Sequence, residues 1–249
     1  AGPARAPGRG GGRRHRAFVT TGRGGPQHIP RPPLVDDGPP APWAHLAPPV
    51  ITFDVVRRAF AELGPARRSD REHLSGRGSA VLAPLYEADG ELHVILTRRS
   101  PSMRVHSGEV SFPGGRQDPG EVLTDTARRE AHEEIGLPPA SIEIVGELDH
   151  LSTITSGSFI VPYVGLVGGG RPAVTPNPAE VEAVLHVPLA ELLLPDVYRE
   201  ERWHIFGGVR PIFFFELHGD TVWGATAAML RQLLGLLTGT LARGDLAHE

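Results

Sequence analysis

Apolar residues recur at helical spacing in three stretches of the chain. In residues 54–63 they form one stripe, which ends at a Gly-Pro pair that stops helices. A second helix is predicted over residues 124–135, where Thr124 can cap its start and Gly136 can end it. A third helix is predicted over about residues 225–242.

Short apolar runs predict strands between these helices. Residues 79–99 are predicted to form two strands joined at Asp89-Gly90, a dipeptide typical of hairpin turns. Further strand-like runs cover residues 142–148, 158–167, 180–188 and 210–217. Because strands and helices are interleaved with turns throughout, we predict mixed α/β or α+β layers.

Residues 1–50 differ from the rest of the chain in composition. They are rich in glycine and proline, and no acidic residue precedes Asp36. Five arginines make their first part basic: Arg5, Arg9, Arg13, Arg14 and Arg16. Such a composition cannot build a packed core, so we predict a disordered arm at 1–50 and one folded domain at 51–249. An arm that binds nucleic acid or another polyanion is one alternative, and a transit peptide is a weaker one, because glycine and proline oppose an amphipathic helix.

The composition of the whole chain excludes several classes of function. The 249 residues include no cysteine, which rules out disulfides, thiolate metal sites and a cysteine nucleophile. The net charge of −4 gives no general attraction to nucleic acid or to a membrane surface. No apolar run reaches the roughly 18 residues of a membrane span, and the start shows no signal pattern. A membrane partner is therefore not expected, nucleic acid is disfavoured, and we expect a cytoplasmic protein, although the absence of cysteine leaves the redox compartment open.

The stretch RREAHEEIG places three glutamates on one side of a predicted helix. Glu130, Glu133 and Glu134 fall within an arc of about 100°. Like charges at this spacing oppose helix formation by roughly 0.2–0.5 kcal/mol per pair. A solvated surface is one interpretation. The other is a divalent cation, because Mg²⁺ prefers oxygen ligands and is often held by carboxylates together with substrate phosphates.

A longer pattern favours the cation. The chain has the spacing Gly115, five residues, Glu121, seven residues, and then Arg129, Glu130, Ala131, His132, Glu133, Glu134, Ile135, Gly136 and Leu137. This pattern resembles the signature of the Nudix hydrolases, with Ala131 where a larger aliphatic residue is usual. The resemblance implies an α/β/α sandwich with a mixed sheet between helices, and hydrolysis of a nucleoside diphosphate linked to another group.

The resemblance also implies Mg²⁺ or Mn²⁺ as the cofactor and a set of ligands for it. Glu130 and Glu134 are the first candidates, and Glu133 is a third ligand or positions a water molecule. The backbone of Gly115 can ligate as well. Such a metal lowers the pKa of a bound water and neutralises charge on the leaving group.

Two further roles follow from the same signature. Arg129 is expected to orient a carboxylate, with Glu121 as the candidate, rather than to touch substrate. The general base is not fixed by the signature, so Glu133 and Glu134 both stay open as catalytic residues.

A second resemblance concerns residues 95–115, directly before this box. The matching residues are Leu96, Thr97, Arg99, Ser100, Arg104, Gly108 and residues 112–115. They resemble the extra signature of the coenzyme A pyrophosphatase branch of the Nudix hydrolases, and residues 155–165, 177–192 and 222–230 are similar to that branch too. The resemblance covers about residues 51–242. It implies hydrolysis of CoA or acyl-CoA to 3′,5′-ADP and (acyl-)4′-phosphopantetheine.

Four cations in this region are candidates for binding the phosphates of CoA: Arg98, Arg99, Arg104 and His106. Arginine suits phosphate because its planar fork binds two oxygens at once. A solvated basic loop is the alternative. Residues 155–157 are a further candidate, either beside substrate or as a turn that leads into a strand.

Two rival functions remain open at the level of sequence. One is a Nudix hydrolase of ADP-ribose, a dinucleotide or an oxidised nucleotide. The other is a non-catalytic module that senses nucleotides or binds nucleic acid, which the complete glutamate set disfavours. The family often pairs subunits, so a homodimer is an open alternative that no sequence feature indicates.

Overall fold

The structure, a computed structural model, describes residues 22–47, 49–69, 72, 78–103, 106–152 and 159–245. The helices in these residues are α1 (Phe53–Glu62), α2 (Leu123–Ile135), α3 (Leu189–Leu192) and α4 (Gly224–Thr238). The strands are β1 (Val35–Asp37), β2 (Ser79–Ala88), β3 (Glu91–Arg99), β4 (Val110–Ser111), β5 (Gly114–Arg116), β6 (Ile142–Glu147), β7 (Leu151–Ser152), β8 (Phe159–Val167), β9 (Val181–Pro188), β10 (Tyr198–Ile205), β11 (Gly208–Glu216) and β12 (Thr221–Trp223).

The strands form two sheets. The larger sheet has the order β4-β3-β2-β8-β6, with β5 paired to β2, β7 to β8 and β9 to β3. Its β2–β8 pair is parallel and its other pairs are antiparallel, so the sheet is mixed, as predicted. The smaller sheet, in the order β1-β10-β11-β12, is antiparallel throughout.

Helices cover both faces of the larger sheet. On one face, Ala131 and Ile135 of α2 pack with Leu82 and Ile95 in a separate apolar cluster. On the other face, α1, α4 and the smaller sheet share the larger core with the sheet. The layers therefore follow the predicted order of helix, mixed sheet and helix. Ala131, the one departure from the signature, is completely buried in this packing.

Local signals account for several of the observed element boundaries. Thr52 caps α1 by accepting a hydrogen bond from the Val55 amide. Asp89 and Gly90 both have positive φ, as the predicted hairpin turn requires. Gly136 ends α2 in the left-handed conformation, with φ of 70°.

Two of the predicted helix boundaries are wrong. Thr124 does not cap α2, because the helix begins one residue earlier, at Leu123, after a cap position that makes no side-chain hydrogen bond. The last helix is shorter than predicted, since α4 ends at Thr238. Gly239 then adopts a φ of 68° and terminates the helix before residue 242.

The predicted division at residue 50 does not match the packing. Residues 35–37 form β1, which pairs with β10. Trp43 is 3% exposed and packs against Tyr198 and Phe215 in the larger core. A three-residue strand and a single tryptophan among prolines give almost no periodic pattern. The prediction for this segment therefore followed its composition and missed its packed residues. Residues 1–21 lie outside the described part of the chain, and the disordered arm there stays a prediction.

Within the residues that the structure describes, no helix combines the length and the apolar character needed to cross a bilayer.

Candidate active site

The start of α2 is fixed by the carboxylate of Glu121. Arg129 donates to it from Nε at 2.9 Å and from Nη2 at 3.2 Å, and Thr126 donates from Oγ1 at 2.7 Å. The amide of Asp118 adds a bond of 3.1 Å. The hydrogen bond from Arg129 is the largest cause that lowers the pKa of Glu121 to about 2. The structure thus brings together the two residues that were expected to orient one another.

The same arginine also holds two glutamates of the helix face. Its Nη1 donates to Glu130 Oε1 and to Glu133 Oε2, both at 2.9 Å, and its Nη2 donates to the Arg116 carbonyl at 3.0 Å. The hydrogen bond to Glu121 is the largest cause that raises the pKa of Arg129, and the bond to Glu130 acts in the same direction. Part of the repulsion within the glutamate cluster is therefore offset by the protein itself.

Glu134 lies apart from this group and is more deeply buried. Its side chain is 4% exposed, and its Oε2 has no hydrogen-bond partner. Arg99 is its nearby cation, with Nη1 at 3.9 Å from Oε1. Burial is the largest cause that raises the pKa of Glu134 to about 8, and the charges of Glu130 and Glu180 act in the same direction. A buried carboxylate in this state is stabilised by an additional cation.

Gly115 lies directly against the carboxylate of Glu130. A Cβ atom added at this position would stand 2.5 Å from Glu130 Cδ and Oε1. The pairing of β5 with β2 fixes this approach, because Gly115 is opposite Ala80. Any larger residue would clash with Glu130, so glycine at this position lets the backbone of the box approach its acidic side chains.

The donor set suits a hard divalent cation. Burial also raises the pKa of Glu130, so Glu130 and Glu134 are neighbouring acidic groups withdrawn from water. Glu133 differs, since its side chain is 55% exposed and turned toward Arg129. Among the described residues, no three acidic or histidine side chains stand close enough together to hold an ion as they are placed. Glu130 and Glu134 are the two most buried carboxylates of the helix face, and a metal held by them stays a prediction.

Two members of the predicted cluster of substrate cations, Arg98 and Arg99, contact different parts of the protein. The pairing of β3 with β9 is irregular between these two arginines, so their directions are given by their partners rather than by strand alternation. Arg99 faces Glu134, whereas Arg98 reaches Asp220 Oδ1 and Glu182 Oε2, each at 3.4 Å. Arg98 is thus held within the protein by two carboxylates that are not part of the acidic helix face.

The other predicted cations do not add to the described site. His106 is 63% exposed and its Nδ1 is 2.9 Å from Glu109 Oε2. Arg104 and residues 155–157 lie outside the described residues, so their roles stay predictions.

One acidic residue near the site was missed by sequence reasoning. Glu180 precedes β9, and its charge raises the pKa of both Glu130 and Glu134. The amide of Ser100 donates to its carbonyl at 2.8 Å, and the neighbouring Asn177 amide donates to the Glu134 carbonyl at 2.8 Å. Glu180 lies 46 residues beyond Glu134 in the chain, and no spacing rule links two positions so far apart.

Comparison with known proteins identifies the family of the chain. The family model described as NUDIX domain matches residues 76–206. Nudix hydrolase 3 of Caenorhabditis elegans is 36% identical over 182 residues, which cover 67% of this chain and 76% of that protein. The protein named Uncharacterized Nudix hydrolase NudL, from Photorhabdus laumondii, is 35% identical over 183 residues, covering 72% and 94%.

A solved structure, of a MutT/nudix family protein from Enterococcus faecalis, is 14% identical, covers 76% of this chain and 80% of its own, and has a TM-score of 0.44. The family match and the two relatives place the chain in the Nudix family. It is a Nudix hydrolase, an enzyme that hydrolyses nucleoside diphosphate derivatives.

Proposed function

We propose that the protein hydrolyses the pyrophosphate bond of CoA or acyl-CoA, with 3′,5′-ADP and (acyl-)4′-phosphopantetheine as products. The observation that carries this proposal is the approach of Arg99 to Glu134, 3.9 Å apart. The segment that resembles the CoA branch thereby delivers a cation directly beside the carboxylates of the Nudix box. A pyrophosphate bound beside this pair would meet the positive charge of Arg99 and, next to it, the proposed metal ligands.

Each residue of the box has a proposed part in this reaction. Glu130 and Glu134 would hold Mg²⁺ or Mn²⁺, which when bound activates water and neutralises phosphate charge. Arg129 and Glu121 act as positioning residues that keep the helix face in place. Glu133 is exposed enough to meet water, so it stays a candidate general base beside Glu134.

One observation favours a second candidate function. CoA carries a 3′-phosphate in addition to its pyrophosphate, yet in the described part of the site only Arg99 of the predicted cations faces the carboxylates. Arg98 is engaged by Asp220 and Glu182. A site with one arginine would also suit ADP-ribose, a dinucleotide or an oxidised nucleotide.

Product analysis distinguishes these functions. The protein is incubated with Mg²⁺ or Mn²⁺ and with CoA, acetyl-CoA, dephospho-CoA, ADP-ribose, diadenosine tetraphosphate or an oxidised dNTP, and the products are identified by mass. Release of 3′,5′-ADP from CoA, faster than cleavage of dephospho-CoA, supports the proposal. Intact CoA beside rapid cleavage of ADP-ribose or of the oxidised dNTP would transfer the assignment to the second function. The folded variant Glu134→Gln controls for contaminating activity.

A further inference from the structure

We propose that Gln27 is a positioning residue for substrate binding. It acts on the loop between β3 and β4, residues 100–109, which follows Arg98 and Arg99. The proposal rests on the proposed function in one respect, namely that substrate phosphates meet Arg99. It adds a role for a residue that lies in the segment predicted to be disordered.

A single amide joins three distant segments of the chain. Gln27 Nε2 donates to the Gly108 carbonyl at 3.2 Å and to Asp220 Oδ1 at 2.7 Å. Its Oε1 accepts from the Thr221 amide at 2.8 Å. The segment is closely seated there, because a Cβ added at Gly25 would overlap the Gln27 side chain and the backbone of Asp220. Gln27 thus binds the β3–β4 loop to the turn before β12.

The contact to Gly108 continues toward the acidic helix face. The Gly108 amide donates to the Arg99 carbonyl at 3.2 Å, and the Arg99 amide donates to the Glu109 carbonyl at 2.9 Å. Arg99 in turn stands 3.9 Å from Glu134. A shift of Gly108 therefore displaces the backbone of the residue that faces the proposed metal ligands.

The contact to Asp220 controls the neighbouring arginine. The Asp220 side chain is 5% exposed, and its Oδ1 receives Gln27 Nε2 and also lies 3.4 Å from Arg98 Nη1. A buried carboxylate that loses one of two partners rearranges or draws in water. Loss of Gln27 would thus disturb Arg98 and Arg99 together, through two separate contacts.

The test compares Gln27→Met with Arg31→Ala. Methionine keeps the length of the side chain but makes none of the three hydrogen bonds. Arg31 is the matched control, since it lies in the same segment and pairs with Glu201 and Phe214 on the smaller sheet. We expect Gln27→Met to raise KM for the best substrate of the screen about tenfold, equivalent to about 1.4 kcal/mol, with kcat within twofold of the parent. Arg31→Ala should leave both unchanged.

A second readout does not depend on the substrate. Hydrogen exchange of the Gly108 and Glu109 amides is measured without nucleotide, together with the Kd for inorganic pyrophosphate. Gln27→Met should accelerate this exchange and weaken pyrophosphate binding, whatever nucleotide the enzyme cleaves. If CoA is not cleaved, the proposed function fails while these two measurements still decide the role of Gln27.

Three results would overturn the inference. The first is faster exchange with unchanged KM and Kd, which would reduce Gln27 to a structural residue. The second is no change in exchange at all. The third is an equal rise of KM in Arg31→Ala, which would indicate general loosening of the segment. Should Gln27→Met not fold, Gln27→Asn, which withdraws the amide by one methylene, is measured in its place.

Discussion

The carboxylate of Glu121 should contribute to stability in a manner that depends on pH. It accepts hydrogen bonds from Arg129, Thr126 and the Asp118 amide, and the substitution Glu121→Gln keeps its shape while removing its charge. In the folded protein the pKa of Glu121 is about 2, compared with its ordinary 4.5. Because folding lowers this pKa, the stabilisation is present above pH 4.5 and is lost as the pH falls toward 2.

The size of this effect follows from linkage. A pKa difference of one corresponds to about 1.4 kcal/mol, so a difference of about 2.5 sets an upper limit of about 3 kcal/mol. The Glu121 side chain is 15% exposed, and water therefore screens part of the interaction. We expect Glu121→Gln to lower the free energy of unfolding by about 2 kcal/mol at pH 7, and by less than half of that at about pH 3.

Urea unfolding of the parent and the variant from pH 7 to pH 3 measures this difference. Glu143→Gln is the control, because the exposed Glu143–Arg57 pair uses two similar hydrogen bonds on the surface and should contribute little. A Glu121→Gln loss that is the same at pH 3 as at pH 7 would refute the linkage argument. So would a loss no larger than that of Glu143→Gln.

The other predictions concern the site and the N-terminal segment. Glu134→Gln should abolish turnover, which kinetics measures. Because burial raises the pKa of Glu134 to about 8, the unfolded chain ionises first, and the metal-free parent should lose stability as the pH rises from 4.5 to about 8. Urea titrations at several pH values should show that the variant lacks this loss. Gly115→Ala should displace the Glu130 carboxylate, costing about 1–3 kcal/mol in stability and weakening activation by Mg²⁺, as read from unfolding and metal titrations. Trp43→Ala should destabilise the protein by about 3–5 kcal/mol, whereas the more exposed Leu46→Ala should cost far less; equal urea midpoints would place residues 22–47 outside the core.

Local signals in the sequence were enough for much of the fold. The positive φ of Asp89 and Gly90, and the end of α2 at Gly136, each depend on one or two residues whose conformational preference is strong. The spacing of the Nudix box likewise placed Glu130 and Glu134 close together, because the helix alone determines their separation.

Features that depend on contacts between distant segments were not predicted. Arg98 and Arg99 were treated as one cluster, but their different partners depend on the irregular pairing of β3 with β9 and on residues as remote as Asp220. Strand β1 has three residues and is stabilised by pairing with β10, whose charged sequence was not predicted as a strand. Glu180 reaches the site only because the chain between β8 and β9 returns to the end of α2.

The guanidinium of Arg129, shared among Glu121, Glu130 and Glu133, has a consequence for how the enzyme responds to its ion supply. Because an internal cation already offsets part of this negative charge, the helix can form before any metal binds. Chelation should therefore silence the enzyme reversibly without unfolding it, so that activity follows the ion level of the compartment while the amount of intact protein stays constant.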